Sequence, residues 1–196
     1  MVLLGVLSGD DPLNATVQAA RDAIAAYIRA KDENRPYLMS RAFAVGATVS
    51  MVVKTEAILL PPLASGREAI TDVLVRGLNQ TYENIRTFCL ASPPENDPTA
   101  FSCGWLVGMS AKENHIVRVG CGRYDWKFQL ENPHLAYNLT ITIEVMELLG
   151  IETLVAVMNW LEELPYPWCS KQVAFDRAPA LQGLDPIRRW LALENA

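Results

Sequence analysis

The order of its segments places this chain in the α+β class. Helical patterns come first, four long strand-like segments follow, and a helical tail closes the sequence. Residues 101–110 supply the clearest local signal: Phe101, Cys103, Trp105, Val107 and Met109 alternate with smaller partners, the period of a strand with one buried face. With 196 residues, 51% of them hydrophobic, the chain suits one globular domain with a terminal extension and a sizeable core.

Residues 1–13 form an N-terminal arm that is apolar at its start but has no basic region ahead of it. A helix begins near Asp11-Pro12, with Asp as cap and Pro at the first helical position. Val17, Ala20, Ile24, Tyr27 and Ile28 form its buried stripe, with Lys31 left outside. Arg35-Pro36 ends it and opens a short second helix. Thr48–Val53 reads as a strand, Lys54-Thr55-Glu56 as its turn, and Ile58–Leu60 as the returning strand, stopped by Pro61-Pro62. Ser65-Gly66-Arg67-Glu68 has the form of a capping box before a third helix. Strand-like segments follow at Tyr82–Leu90, Phe101–Ser110, Ile116–Leu130 and Leu139–Leu148. The third is too long to lie flat, and Gly120 and Gly122 offer a bend or bulge. In the tail, Ile151, Leu154, Val155, Met158 and Leu161 make one apolar stripe. A loop of about 18 residues, long for a compact domain, leads to a last helix with Ile187, Trp190 and Leu191 inward.

Composition excludes several classes. A net charge of −5 and the lack of any Lys/Arg cluster argue against nucleic acid as a partner. No apolar run is long enough for a membrane span. His115 and His134 lack ligand spacing, and Cys89, Cys103, Cys121 and Cys169 form no C-x-x-C. The expectation is therefore buried reduced thiols, no metal, no cofactor, and a cytoplasmic protein.

Short segments carry a resemblance. Ala26-Tyr27-Ile28-Arg29-Ala30, Ala47-Thr48-Val49, Leu60-Pro61-Pro62, Gly66-Arg67-Glu68-Ala69-Ile70 and Gly122-Arg123-Tyr124-Asp125-Trp126 resemble the nuclear transport factor 2-like superfamily, including its SnoaL-like polyketide cyclases. The likeness spans residues 14–149, and the helical extension 150–196 lies outside it. It implies a cone-shaped, curved antiparallel sheet, with the three helices of the N-terminal half around a pocket for a small-molecule ligand. A homodimer is also expected, since bulky apolar groups on the outer sheet face would otherwise meet water.

Two chemistries of that superfamily bear on these residues. In ketosteroid isomerase a first-helix tyrosine and a protonated acid stabilise an oxyanion. Tyr27 falls at the tyrosine's place, and Tyr124 or Asp125 falls near the acid. Met51 stands where that enzyme's proton-moving Asp would be, so the isomerase reaction itself is not expected. Limonene-epoxide hydrolase uses an acid–Arg–acid set, which Asp125, Arg123 and Glu144 resemble. Ser50 and Val52 replace its water-holding residues, and only Ser50 can hold a water.

The candidate catalytic residues are thus Asp125, Arg123, Glu144 and Tyr27, with Tyr124, Ser50, Met51, Trp105 and Trp126 lining a substrate pocket. Each has a plainer reading beside it: the charges as a polar network on a sheet face, the aromatics as core or interface. The function implied is small-molecule binding, with a cofactor-free lyase, isomerase or epoxide hydrolase acting on a small oxygenated ring compound. The alternative is a non-catalytic ligand-binding or dimerisation module.

Overall fold

In the computed structural model, which describes residues 12–97 and 99–193, the apolar stripe of the first helix forms as expected. This helix, α1 (Pro12–Asp32), buries Val17, Ala20, Ile24, Tyr27 and Ile28. Lys31 is buried with them at 6% exposure, where the sequence reading had left it outside. Its place, four residues after Tyr27, is on the same face as the stripe. Asp11, the expected cap, and all but the last two residues of the expected arm lie outside the described residues. A short 3-10 turn, Pro36–Arg41, leads into the sheet.

Six strands form one sheet: β1 (Phe43–Val53), β2 (Leu63–Ser65), β3 (Tyr82–Leu90), β4 (Ala100–Ala111), β5 (Val117–Phe128) and β6 (Ala136–Leu149), in the order β2-β1-β6-β5-β4-β3. The sheet is mixed rather than wholly antiparallel, because β1 runs parallel to β6, with Val49 beside Leu139. β1 already has its antiparallel hairpin partner, β2, on its outer edge. Its inner neighbour is the last strand, reached only through the intervening helices and strands.

The hairpin returns later than the sequence suggested. Leu63–Ser65 pairs with Thr48–Ser50, while Ile58–Leu60 stays irregular. The two prolines between them have no N–H to give to a ladder, so pairing starts after them. Ser65 is consequently a strand residue, not a cap. Gly66, at φ 87°, makes the turn into α2 (Arg67–Thr71), and its side-chain-free cap donates its N–H to Ala47 O at 2.8 Å. α2 continues through a π-helical stretch, Asp72–Gly77, into α3 (Leu78–Thr81).

The long strand bends where its glycines lie. Cys121 faces Val145 but Gly122 faces Ile143, so Glu144 of β6 is the extra residue of a bulge. At Gly122 a β-carbon would sit 1.9 Å from Thr142 O. Two backbones approach there more closely than any side chain permits.

This curvature gives the sheet two buried faces with separate cores. The concave face packs Trp105, Val107, Met109, Tyr124, Trp126, Leu139, Ile141 and Ile143 against α1. The outer face packs Leu106, Val117, Val119 and Cys121 against the chain's own tail, namely α4 (Leu154–Glu162), α5 (Lys171–Arg177) and α6 (Asp185–Ala192). In α4 the buried residues are Val157, Trp160 and Leu161, whereas Ile151 and Val155 of the expected stripe are exposed. The bulk of Trp160 sets that phase: its ring is buried and Nε1 donates to Ala174 O at 3.0 Å. α5 occupies much of the expected long loop and is capped by Ser170, whose Oγ accepts from Val173 N at 3.1 Å. The tail also pairs with the sheet edge. Cys89 N donates to Pro167 O at 2.8 Å, and Cys169 N donates to Cys89 O at 3.0 Å. An unpaired stretch of β3 is closed by these bonds.

Candidate functional site

Between α1, the π-helical stretch and the concave face lies a hollow of about 60 Å³. Tyr27 and Lys31 reach it from the helix, and Trp105, Met109, Tyr124 and Met146 from the sheet. Ile58, Leu60, Val73 and Leu78 line both this hollow and a wider vestibule of about 460 Å³ outside it. The irregular segment 54–62, left out of the sheet by its prolines, therefore forms the partition between them. Arg118 braces it: its guanidinium donates to Ala57 O and lies 5.4 Å from the Tyr82 ring centroid. Arg118 Nε is buried without a partner.

The floor of the hollow is aromatic. Tyr27 meets Tyr124 edge to face at 6.1 Å and Trp126 at 5.4 Å, and Trp105 stacks on Tyr124 at 5.7 Å. Trp105 Nε1 donates to Thr142 O at 3.2 Å, which fixes the ring at the wall. The hydroxyls of Tyr27 and Tyr124 interact, and burial pushes both phenols well above the ordinary tyrosine value. Both stay neutral, able to give a hydrogen bond and unable to act as phenolate bases near pH 7. Among the described residues lining the hollow, none is a carboxylate or an imidazole.

Behind the hollow, Asp32 takes hydrogen bonds from Thr87 N at 2.7 Å, Thr87 Oγ1 at 2.8 Å and Tyr166 Oη at 3.2 Å. It joins α1, β3 and the tail. Burial raises its carboxyl to about 6, with Lys31 and the Thr87 and Tyr166 bonds pulling the other way. Burial likewise pushes the Lys31 ammonium below its ordinary value, against the opposing pull of Asp32 and Cys89.

A pH dependence follows from Asp32. Folded Asp32 holds its proton more tightly than unfolded Asp32, whose reference value is 3.8. The stabilisation this group gives is complete below the unfolded value and is lost as pH rises through about 6. Its expected size is about 3 kcal/mol. Urea midpoints of the parent, compared with Asp32→Asn between pH 4 and pH 6.5 or so, should show this extra fall in the parent alone.

No protein-family model matches the sequence, and no curated protein does. Solved structures do match. A type 2 hexachlorocyclohexane dehydrochlorinase superposes with a TM-score of 0.59 at 13% identity, over 72% of this chain and 94% of that one. A nuclear transport factor 2-like superfamily protein from Salmonella enterica gives 0.55 at 14% identity, over 66% and 92%. A Δ5-3-ketosteroid isomerase from a Mycobacterium species gives 0.50 at 13% identity, over 69% and 98%. The chain has the nuclear transport factor 2-like fold.

Within that cone the candidate residues separate. Tyr27, Tyr124 and Trp105 line the hollow, and Trp126 and Met51 are buried in the same core. Arg123 and Asp125 flank Tyr124 in β5 and so point to the opposite face. There Arg123 Nε lies 2.8 Å from Asp125 Oδ1, and Ser102 Oγ donates to the same oxygen at 2.5 Å. Both side chains are substantially exposed, at 45% and 39%. Glu144, the bulge residue, pairs instead with Lys54 Nζ at 2.9 Å. Ser50 alternates away from buried Val49 and Met51 and stands opposite Thr140. The acid–Arg–acid set is thus not brought together at the hollow. Of the two neighbours Tyr124 and Asp125, Tyr124 faces the hollow and Asp125 the opposite side, since one residue along a strand exchanges the two faces.

Sequence reasoning missed Lys31, Asp32, Arg118 and Tyr166. For Lys31 a signal existed: a lysine in register with an apolar stripe. For the other three, nothing in the sequence pointed to their partners, which come from distant segments. Among the described residues, no group of three or more His, Cys, Asp or Glu is placed to hold a metal ion. No helix there is long and apolar enough to cross a membrane.

Proposed function

We propose that the cone binds a small, largely apolar, oxygen-bearing molecule, with Tyr27 donating a hydrogen bond to its oxygen and Tyr124 donating in turn to Tyr27. One observation carries this reading: two neutral phenols stand together at the floor of a hollow whose other lining residues, Lys31 apart, are apolar or aromatic. Pockets of this composition orient a ligand by a few placed polar groups. The hollow as it stands is smaller than a ring compound, so entry requires Ile58 and Leu60 to swing toward the vestibule. The segment that carries them is outside the sheet ladder, which keeps the cost of that opening low.

A cofactor-free lyase or isomerase is the enzymatic form of this proposal. Its support is that the solved neighbours include a dehydrochlorinase and a ketosteroid isomerase. The absence of a carboxylate or imidazole from the described hollow lining favours the alternative, a binding module without catalysis. An epoxide-hydrolase mechanism through Asp125, Arg123 and Glu144 finds no support in their placement. We assign ligand binding to residues 14–149 and a covering role to the extension 150–196. The apolar outer groups that suggested a homodimer are covered by that extension, so we propose that it takes the place of a second copy on the sheet. Four free, buried cysteines suit a reducing, cytoplasmic setting.

The test is a thermal-shift screen of terpenoid, steroid and polyketide-like compounds on the parent, Leu60→Trp and Asp125→Asn. Leu60 lines the partition, and a tryptophan there plugs it, whereas Asp125 lies on the far face. Hits should vanish with Leu60→Trp and persist with Asp125→Asn. Hits that survive the plug, or that disappear with Asp125→Asn, contradict the assignment.

A further inference from the structure

We propose that Lys31 is a nucleophilic amine that condenses with an aldehyde or ketone held in the hollow, forming an imine. This deepens the ligand-binding reading and rests on it, since the carbonyl compound must first enter the cone. The geometry points to Lys31 for three reasons. First, it lines the hollow while only 6% exposed. Second, it has no salt-bridge partner among the described residues. Asp32, its neighbour in sequence, is hydrogen-bonded to Thr87 and Tyr166 and acts on Lys31 through charge rather than a salt-bridge contact. Third, its Nζ lies over the face of the Tyr27 ring, 5.8 Å from the centroid, so it shares the hollow with that tyrosine.

Burial strips hydration from the ammonium and so lowers the Lys31 pKa from its ordinary value, making the free amine easier to reach than on an exposed lysine. The groups that oppose this are Asp32 on its own helix and Cys89 on β3, both of which pull its pKa upward, but burial is the largest cause and prevails. A neutral amine has a lone pair and is a nucleophile.

The Nζ lone pair adds to the carbonyl carbon, and the C=O π pair moves to oxygen, where a phenol hydrogen bond steadies the developing charge. Proton transfer gives a carbinolamine. The nitrogen lone pair then forms the C=N bond as the C–O bond breaks, the hydroxyl leaves as water with the proton that nitrogen gives up, and the water departs through the vestibule. No oxidant or reductant takes part. The chemical class of ligand is therefore a small apolar aldehyde or ketone, which both fits the apolar walls and offers its oxygen to the Tyr27 hydroxyl.

The test is reductive trapping. The parent protein is incubated with benzaldehyde and sodium cyanoborohydride near neutral pH, and the modified lysines are located by peptide mass spectrometry. Besides Lys31, the chain has only Lys54, Lys112, Lys127 and Lys171. We expect Lys31 to be modified about tenfold faster than any exposed lysine, because a larger fraction of it is unprotonated. Lys171 is the internal competitor, since burial against the Trp190 ring also lowers its pKa. Preferential modification of Lys171, or equal modification of all five, overturns the proposal. Lys31→Arg puts a permanently protonated, non-nucleophilic group in its place, and Lys31→Met puts an unbranched apolar chain of similar length there; each should abolish the fast modification. Benzyl alcohol, which has an oxygen but no carbonyl, serves as a parallel probe by thermal shift. Benzyl alcohol binding without trapping at Lys31 defeats the imine alone. Neither binding nor trapping defeats the imine and the ligand-binding reading together.

Discussion

Removal of residues 150–196 is expected to turn a well-behaved chain into one that aggregates or self-associates. The tail is not an appendage to this sheet but half of its outer core. Leu106, Val117, Val119 and Cys121 reach zero exposure only beneath Val157, Trp160, Leu161, Ile187 and Leu191. Leu161 sits so close to Gly108 that a β-carbon there would lie 2.2 Å from its Cδ1. Each large apolar side chain returned to water costs about 1.5–3 kcal/mol, so several together match the whole stability of a typical domain. Two backbone bonds at Cys89 are lost as well, which leaves an open strand edge. Size-exclusion chromatography with circular dichroism checks this. A folded, monomeric 1–149 fragment with unchanged melting would show that the outer core contributes little. The single change Leu161→Ala is a milder version, expected to cost about 2–5 kcal/mol.

Gly122→Ala should be the most damaging small substitution on the concave side. Its β-carbon would stand 1.9 Å from Thr142 O and 2.9 Å from the Trp105 ring. The first is backbone in the neighbouring strand, directly beside the bulge at Glu144, so relief requires moving β6 and not merely a side-chain end. A loss of about 3 kcal/mol or more is expected, with Trp105 fluorescence altered because the ring must retreat. Gly46→Ala is the control: nothing lies within 4 Å of its added carbon, and the change should be worth under about 0.5 kcal/mol. Urea melts of the two variants against the parent give the comparison. Equal effects would mean that the close approach at Gly122 is not what shapes the bend.

Particular residues show how far the sequence could be read. The spacing of Val17, Ala20, Ile24 and Tyr27 identified the helix that crosses the concave face, because helical period and burial go together. The alternation from Phe101 to Met109 likewise identified a two-faced strand. In β5 the same alternation was present, but charged and aromatic residues alternate there, and either set could have faced the hollow. The aromatic set won, since Tyr124, Trp126 and Phe128 gain from burial what Arg123, Asp125 and Lys127 would lose. Tail destination was not legible: an apolar helical stripe announces a buried face without naming the surface that buries it. Pairing of β1 with β6 was equally hidden, because parallel neighbours far apart in sequence leave no turn signal between them.

The central claim is that the hollow beneath Tyr27 receives a ligand, and the methionine methyl groups test it directly. Met109 and Met146 line that hollow; Met39 is buried elsewhere in the same core, and Met158 belongs to the tail's core. With the methionine methyls carbon-13 labelled, titration of a small apolar ketone should shift the Met109 and Met146 signals saturably and leave those of Met39 and Met158 in place. Saturable shifts at Met158, or none at Met109 and Met146 for any compound that stabilises the protein, would contradict it.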